Sequence, residues 1–170
     1  IQVFLNTHSF DEVKNVHESI CNTYIDDFSK YARNRELADL QMIFKSIPGQ
    51  IGHKVKYVHI LADAKSSYTA SLLEMLEKAK IISKVFSTDL NGIPLASGTN
   101  RKIFKLLFLD IGLLTGILGI DIFELQKSSE RELINEGYLA EQYIGQILYN
   151  SDFNNIQSNL YYWVRESSKS

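Results

Sequence analysis

The chain has 170 residues, 45% of them hydrophobic and 22% charged, with nine Phe and nine Tyr. That is length for one ordinary domain or two small ones, with enough apolar side chains to exclude a disordered segment. No apolar run reaches the roughly 18 residues of a membrane-spanning helix, and a single cysteine, Cys21, excludes an internal disulfide and fits a reducing, cytoplasmic setting.

Net charge is −2, but the charges are unevenly spread. Residues 1–44 carry 4 basic and 7 acidic groups, 45–105 carry 10 and 4, and 106–170 carry 4 and 9. A basic middle between acidic flanks suits an anion-binding face, with a solvated lysine surface as the plain alternative.

The opening residues lack a Met and a basic leader, so they read as the tail of an earlier helix rather than a native start or a signal peptide. Ser9 is an N-cap, and Glu12 three residues on gives the capping-box spacing. The helix it opens carries Phe10, Val13, Val16, Ile20, Tyr24, Ile25, Phe28 and Tyr31 at helical spacing, so one face is expected to be buried. Cys21 lies on that side as a packed thiol. A second helix carries Leu37, Leu40, Phe44 and Ile47 and stops at Pro48-Gly49, because Pro lacks the N–H and restricts the residue before it.

An extended basic stretch follows over 52–57, then a short helix over 58–64 and a turn at Lys65-Ser66-Ser67. A longer helix is expected over about 68–80, with Leu72, Leu73, Leu76 and Ala79 inward. Residues 81–87 alternate like a strand. Asn91-Gly92 signals a turn, with Pro94 beyond it, and 105–109 reads as the returning strand. A short apolar helix over 111–118 comes next. Helix, short helix, turn, helix, strand, turn, strand is the order of a winged helix-turn-helix, with 88–100 as its wing. After the linker Gln126-Lys127-Ser128-Ser129, a helix is expected over 130–149, a polar loop over 150–159 and an aromatic strand over 160–164. That helix needs a sheet to bury Leu139, Tyr143, Ile144 and Ile147, and only one strand of such a sheet remains before the chain stops at Ser170.

The chemistry-bearing patterns are few. No Gly-rich phosphate loop is present, and His8, His17, His53 and His59 are scattered without metal-ligand spacing. His53 and His59 suit ordinary surface or packing roles. The basic face comprises Lys54, Lys56, Lys65, Ser66, Ser67, Tyr68 and Thr69, with Arg101, Lys102 and Lys105 across the wing. Lysines and hydroxyls at a helix start suit phosphates. The helix is short of Arg, Asn and Gln for reading base edges, and it exposes Glu74 and Glu77, so contact with DNA would be non-specific. Contact with a protein partner, or a spacer role, stands as the alternative. Glu141 is a carboxylate near an apolar helix face. A partner cation, a surface position or a metal would each explain it.

Taken together, these residues are similar to a known family. The chain resembles the region after the ATPase core in bacterial and archaeal AAA-type ATP-binding proteins, a domain of unknown function. The matching segments are 20–28, 43–52 with its Ile47-Pro48-Gly49-Gln50-Ile51-Gly52, 72–79, 102–114 with its Leu109-Asp110-Ile111-Gly112, 137–148, and Leu160-Tyr161-Tyr162-Trp163. No single motif decides, but their order and spacing together are specific. The resemblance implies a winged helix and then a unit similar to the PD-(D/E)XK nuclease fold, in which a helix Glu is the first metal-site carboxylate; Glu141 stands at that position. The family's next carboxylate strand would follow Ser170, so the site is incomplete over these residues.

The expectation is therefore an α+β, mostly helical chain: 1–50 a helical segment continuing an ATPase lid, 51–125 a winged helix, and 126–170 the start of a restriction-endonuclease-like α/β unit. It would be the nucleic-acid- or partner-facing region of a larger ATPase, without activity by itself. Glu141 would be the one catalytic candidate, and Lys54, Lys56, Lys65, Ser66, Ser67, Lys102 and Lys105 the nucleic-acid contacts. No cofactor or metal is expected over these residues, ATP and Mg belonging to the larger protein. Non-specific DNA, a protein partner or a second copy are the partners considered, with no membrane. The rivals are a structural or oligomerisation module and a winged-helix transcription regulator.

Overall fold

Local signals set most of the helix ends. In a computed structural model of the chain, residues 2–89, 92, 95–120, 137–151 and 160–163 are described. Helix α1 (Gln2–Thr7) leads into α2 (Phe10–Asp27), whose N-cap Ser9 accepts the Glu12 N–H through its hydroxyl at 3.4 Å. Helix α3 (Asn34–Ser46) passes into a 3₁₀ turn, Ile47–Gln50, at Pro48. Helix α4 is a single turn (Tyr57–Ile60), and α5 (Ser66–Lys78) begins directly after Lys65. Strands β1 (Ile82–Thr88) and β2 (Thr99–Phe108) pair antiparallel. Asp110 caps α6 (Ile111–Leu118) by accepting the Gly112 and Leu113 N–H groups. Helix α7 (Gly137–Asn150) and the short strand β3 (Tyr161–Trp163) complete the described elements. The fold is α+β and mostly helical, with a small three-stranded sheet.

The core lies between α3, α5 and one face of the sheet. Phe44, Leu72, Leu73, Leu76, Phe104 and Leu106 are fully buried there. Phe44 joins the two sides, with ring centroids 5.5 Å from Phe28 and 5.8 Å from Phe108. Each such side chain contributes about 1.5–3 kcal/mol by leaving water.

Three expectations change, one of them on α7, where Tyr143, Ile144 and Ile147 are exposed rather than buried against a sheet. The long stripe of α2 is not buried along its length. Among its described residues only Cys21 is buried, while Phe10, Val16 and Ile20 are 46%, 38% and 39% exposed. Helix α6 covers one side of α2, α1 covers its start, and Tyr24 and Ile25 pack on the core at its end, so the exposed part of the stripe lies at Phe10, Val16 and Ile20. The third change concerns the aromatic strand. It does not found a sheet of its own: β3 pairs parallel with β1, giving the order β2-β1-β3. Helix α7 lies over the face of this same sheet that is turned away from the core. A Cβ at Gly145 would stand 2.5 Å from Leu107 Cδ2, so any larger residue there would force the Leu107 side chain to shift. At its other end α7 sets Tyr138 against Gly52, which has φ +81° and leaves no room for a Cβ.

The hairpin strand β2 starts at Thr99, earlier than its apolar residues suggest. Asn91 and Pro94 of the turn signal lie outside the described residues, as do 121–136, which include the linker and the first residues of the expected last helix.

Candidate functional site

Extended backbone sends successive side chains to opposite faces, and this decides where the predicted lysines go. Val55 is buried and bonds Phe104 of β2 through both its N–H (2.7 Å) and its C=O (3.1 Å). Lys54 and Lys56 flank it, are exposed, and project to the α7 side of the sheet. Lys65, Ser66 and Ser67 are exposed at the start of α5, on the helical side. The sheet separates these two groups, so the predicted residues do not form one continuous face. Tyr68 and Thr69 drop out: the Tyr68 hydroxyl donates to Asp39 Oδ2 at 2.9 Å, and Thr69 is buried.

The tip of the hairpin holds a third group. Phe86 pairs with Phe104 and Ser87 with Asn100, so Arg101, Lys102 and Ile103 bulge out of the ladder. Arg101 and Lys102 are exposed there. Among the described residues no carboxylate pairs with Lys54, Lys56, Lys65, Arg101 or Lys102. Their charge is available to an anion from outside.

Lys105 differs. Its Nζ donates to both oxygens of Glu141, at 2.6 and 2.8 Å, and sits 5.6 Å from the centroid of the Tyr162 ring. The lysine is thus held by α7 and β3. The Glu141 side chain is 41% exposed, and its partner cation is Lys105 of the hairpin. Arg165 and Glu166, the other side chains considered for that place, lie outside the described residues. A divalent ion wants two or more carboxylate oxygens. Both oxygens of Glu141 serve an ammonium, and no group of three His, Cys, Asp or Glu among the described residues is placed to hold a metal.

Sequence reasoning missed the two glutamines next to Glu141. Gln142 is fully buried. Its Oε1 accepts the Phe108 N–H at 2.9 Å and its Nε2 donates to the Phe108 C=O at 2.7 Å. One side chain thereby fills the place of a neighbouring strand. The outer edge of β2 is closed at Phe104 by Val55 and at Phe108 by Gln142. Gln146, one turn on, accepts the Ile111 N–H at 3.1 Å and donates to Asp110 Oδ2 at 3.4 Å. The signal was a pair of amides at i, i+4 on an otherwise apolar helix.

The charged cavities elsewhere each hold three cations and two carboxylates, several of them paired. A cleft of about 460 Å³ between α5, β1 and β3 contains Glu74 paired with Lys78 at 2.9 Å and Glu77 paired with Lys84 at 3.0 Å. The Lys78 ammonium holds the Glu74 carboxyl below its usual value. Another, of about 490 Å³, brings Arg33, Arg35 and Lys65 together, but Glu36 and Asp63 share it and Asp39 takes the Arg35 guanidinium at 3.5 Å. Cys21 is buried, and that burial, with Glu18 nearby, pushes its thiol above the usual value.

Among the described residues no helix is long and apolar enough to cross a membrane. No curated protein and no solved structure matches the chain. A family model for a domain of unknown function, DUF8612, matches residues 2–124, from α1 past the end of α6. The chain belongs to the DUF8612 family.

Proposed function

We propose that this chain is the nucleic-acid-facing region of a larger AAA-type ATPase, that it contacts phosphates without reading sequence, and that it has no activity by itself. The observation that carries the reading is that Lys54, Lys56, Lys65, Arg101 and Lys102 are exposed and have no ion-pair partner among the described residues, as is also true of Lys14, Arg33, Lys45 and Lys80. The first five belong to a segment in which helix α3 is followed by an edge residue Val55, helices α4 and α5 and a two-stranded hairpin, in that order. This order supports a winged helix, with α5 as its third helix and the β1–β2 turn as its wing. The sparse base-reading chemistry of α5 supports phosphate contact over sequence recognition. The link to an ATPase rests on the resemblance of the sequence, and ATP and Mg would act in that other part. The buried free thiol of Cys21 supports a cytoplasmic setting.

Fluorescence anisotropy with a labelled duplex tests the reading. Dissociation constants of roughly 10⁻⁴–10⁻⁶ M at physiological salt are expected, tightening steeply as salt falls. Replacing Lys54, Lys56, Lys65 and Lys102 by Glu should abolish binding. Binding that ignores salt, or none at low salt, would exclude phosphate contact.

A second reading, an assembly module, is favoured by one observation. The outer face of α7 exposes Tyr143, Ile144, Ile147 and Leu148, each about half accessible. Sedimentation velocity on the chain and on an Ile144→Glu, Leu148→Glu variant separates the two: a dimer lost in the variant supports assembly.

A further inference from the structure

We infer that the tip of the hairpin sheet is a site for unpaired nucleobases: single-stranded nucleic acid whose bases stack on Trp163 while Arg101 and Lys102 hold its phosphates. This deepens the phosphate-contact reading and rests on it.

Register brings these residues together although 61 or more positions separate them in sequence. Trp163 of β3 pairs with Thr88 of β1, and Thr88 pairs with Thr99 of β2. The indole therefore stands on the same rung as the start of β2, two strands away, about 10 Å at ordinary strand spacing. Two residues beyond Thr99, Arg101 and Lys102 leave the ladder in the bulge, and the Lys102 N–H donates to Asn100 Oδ1 at 2.9 Å, which fixes the turn of the backbone.

The three aromatic residues of β3 are not equivalent. Tyr162 lies under the Lys105 ammonium, and Tyr161 lies beside Phe86 in the cleft facing α5. Trp163 is 54% exposed. A large π-face is thus held to water by strand pairing, at the same end of the sheet as two exposed cations on the far strand. Asp89, the acidic residue of the tip, has its carboxylate turned onto Gly98. Positive charge with an open aromatic face suits a phosphate chain with accessible bases. In a duplex the base faces are already stacked, so the indole can contribute only where bases are unpaired.

The chain contains one tryptophan, so its intrinsic emission reports this position alone. Oligothymidylate and oligouridylate of roughly 16 nucleotides, the upper single-strand site size, would be titrated against the whole chain beside a duplex of equal length. Both anisotropy of a labelled strand and tryptophan emission would be followed. Single strands should quench the emission at saturation and the duplex should not. Quenching by either oligonucleotide supports the inference, and the stronger of the two tells which polymer the site prefers. Trp163→Ala should weaken single-strand binding roughly 5- to 150-fold, the worth of one stacked base, and leave duplex binding unchanged. Trp163→Phe should recover part of the loss. Single-strand binding without quenching, or equal affinities in Trp163→Ala and the parent chain, overturns the stacking site while phosphate contact stands. No binding of any strand at low salt overturns both.

Discussion

Replacing Gln142 by Met keeps most of the side-chain volume but removes both hydrogen-bonding groups. The Phe108 N–H and C=O then lose their partners at 2.9 and 2.7 Å, at a residue that is 2% exposed. A buried polar group without a partner costs about 1–3 kcal/mol, so the two together cost about 2–6 kcal/mol. Domains of this size are stable by only about 5–15 kcal/mol, so the loss is a large share of the total. Gln142→Ala should lose roughly 1 kcal/mol more, because it also leaves a cavity. Urea unfolding followed by far-UV circular dichroism reads both. The midpoint should fall with little change in slope, and hydrogen exchange at the Phe108 amide should quicken in step. If Gln142→Met costs less than about 1 kcal/mol with the Phe108 amide still protected, the amide is not what closes the edge of β2, and α7 is held by apolar contact alone.

Gly52→Ala should destabilise by about 2–4 kcal/mol, from a left-handed backbone and from crowding against Tyr138; a melt at the parent temperature would show that α7 does not press on this loop. A double-mutant cycle with Lys105→Met and Glu141→Gln should give a coupling of about 0.5–1 kcal/mol for this partly exposed pair, and adding Mn²⁺ to the parent chain should not raise its melting temperature. Manganese-dependent stabilisation lost in Glu141→Gln would instead place a metal there. Cys21 should react with a thiol reagent at pH 8 roughly tenfold or more slowly in the native chain than in urea. Its thiol value is raised above 9.0 mainly by burial and then by Glu18, so the folded chain holds that proton more tightly than the unfolded one. The associated stability is complete below about pH 9 and is lost as pH rises through the folded value; a rise of stability above pH 9 that vanishes in Cys21→Ser would contradict this.

Much of the fold was legible along the chain because its signals are local. Ser9 and Asp110 accept N–H groups two or three residues away, Pro48 stops α3 by its own ring, and the alternation of 81–87 marks a strand whichever partner it finds. The exposed lysines of 54–65 could be named from their charge. Which face each one takes could not, because Val55 had first to find Phe104, 49 positions on. The same holds for the C-terminal elements. The aromatic strand could be read from Leu160-Tyr161-Tyr162-Trp163, but its place beside β1 could not, since strand character says nothing about which edge is free. Glu141 stood out as a carboxylate near an apolar face, while its partner Lys105 is 36 residues away, and Gln142 meets Phe108 across 34. Side chains so far apart in sequence leave no periodic trace. They meet only when α7 lands on the sheet, and that landing is decided by close approach at Gly145 and Gly52 and by a buried strand edge whose polar groups must be satisfied.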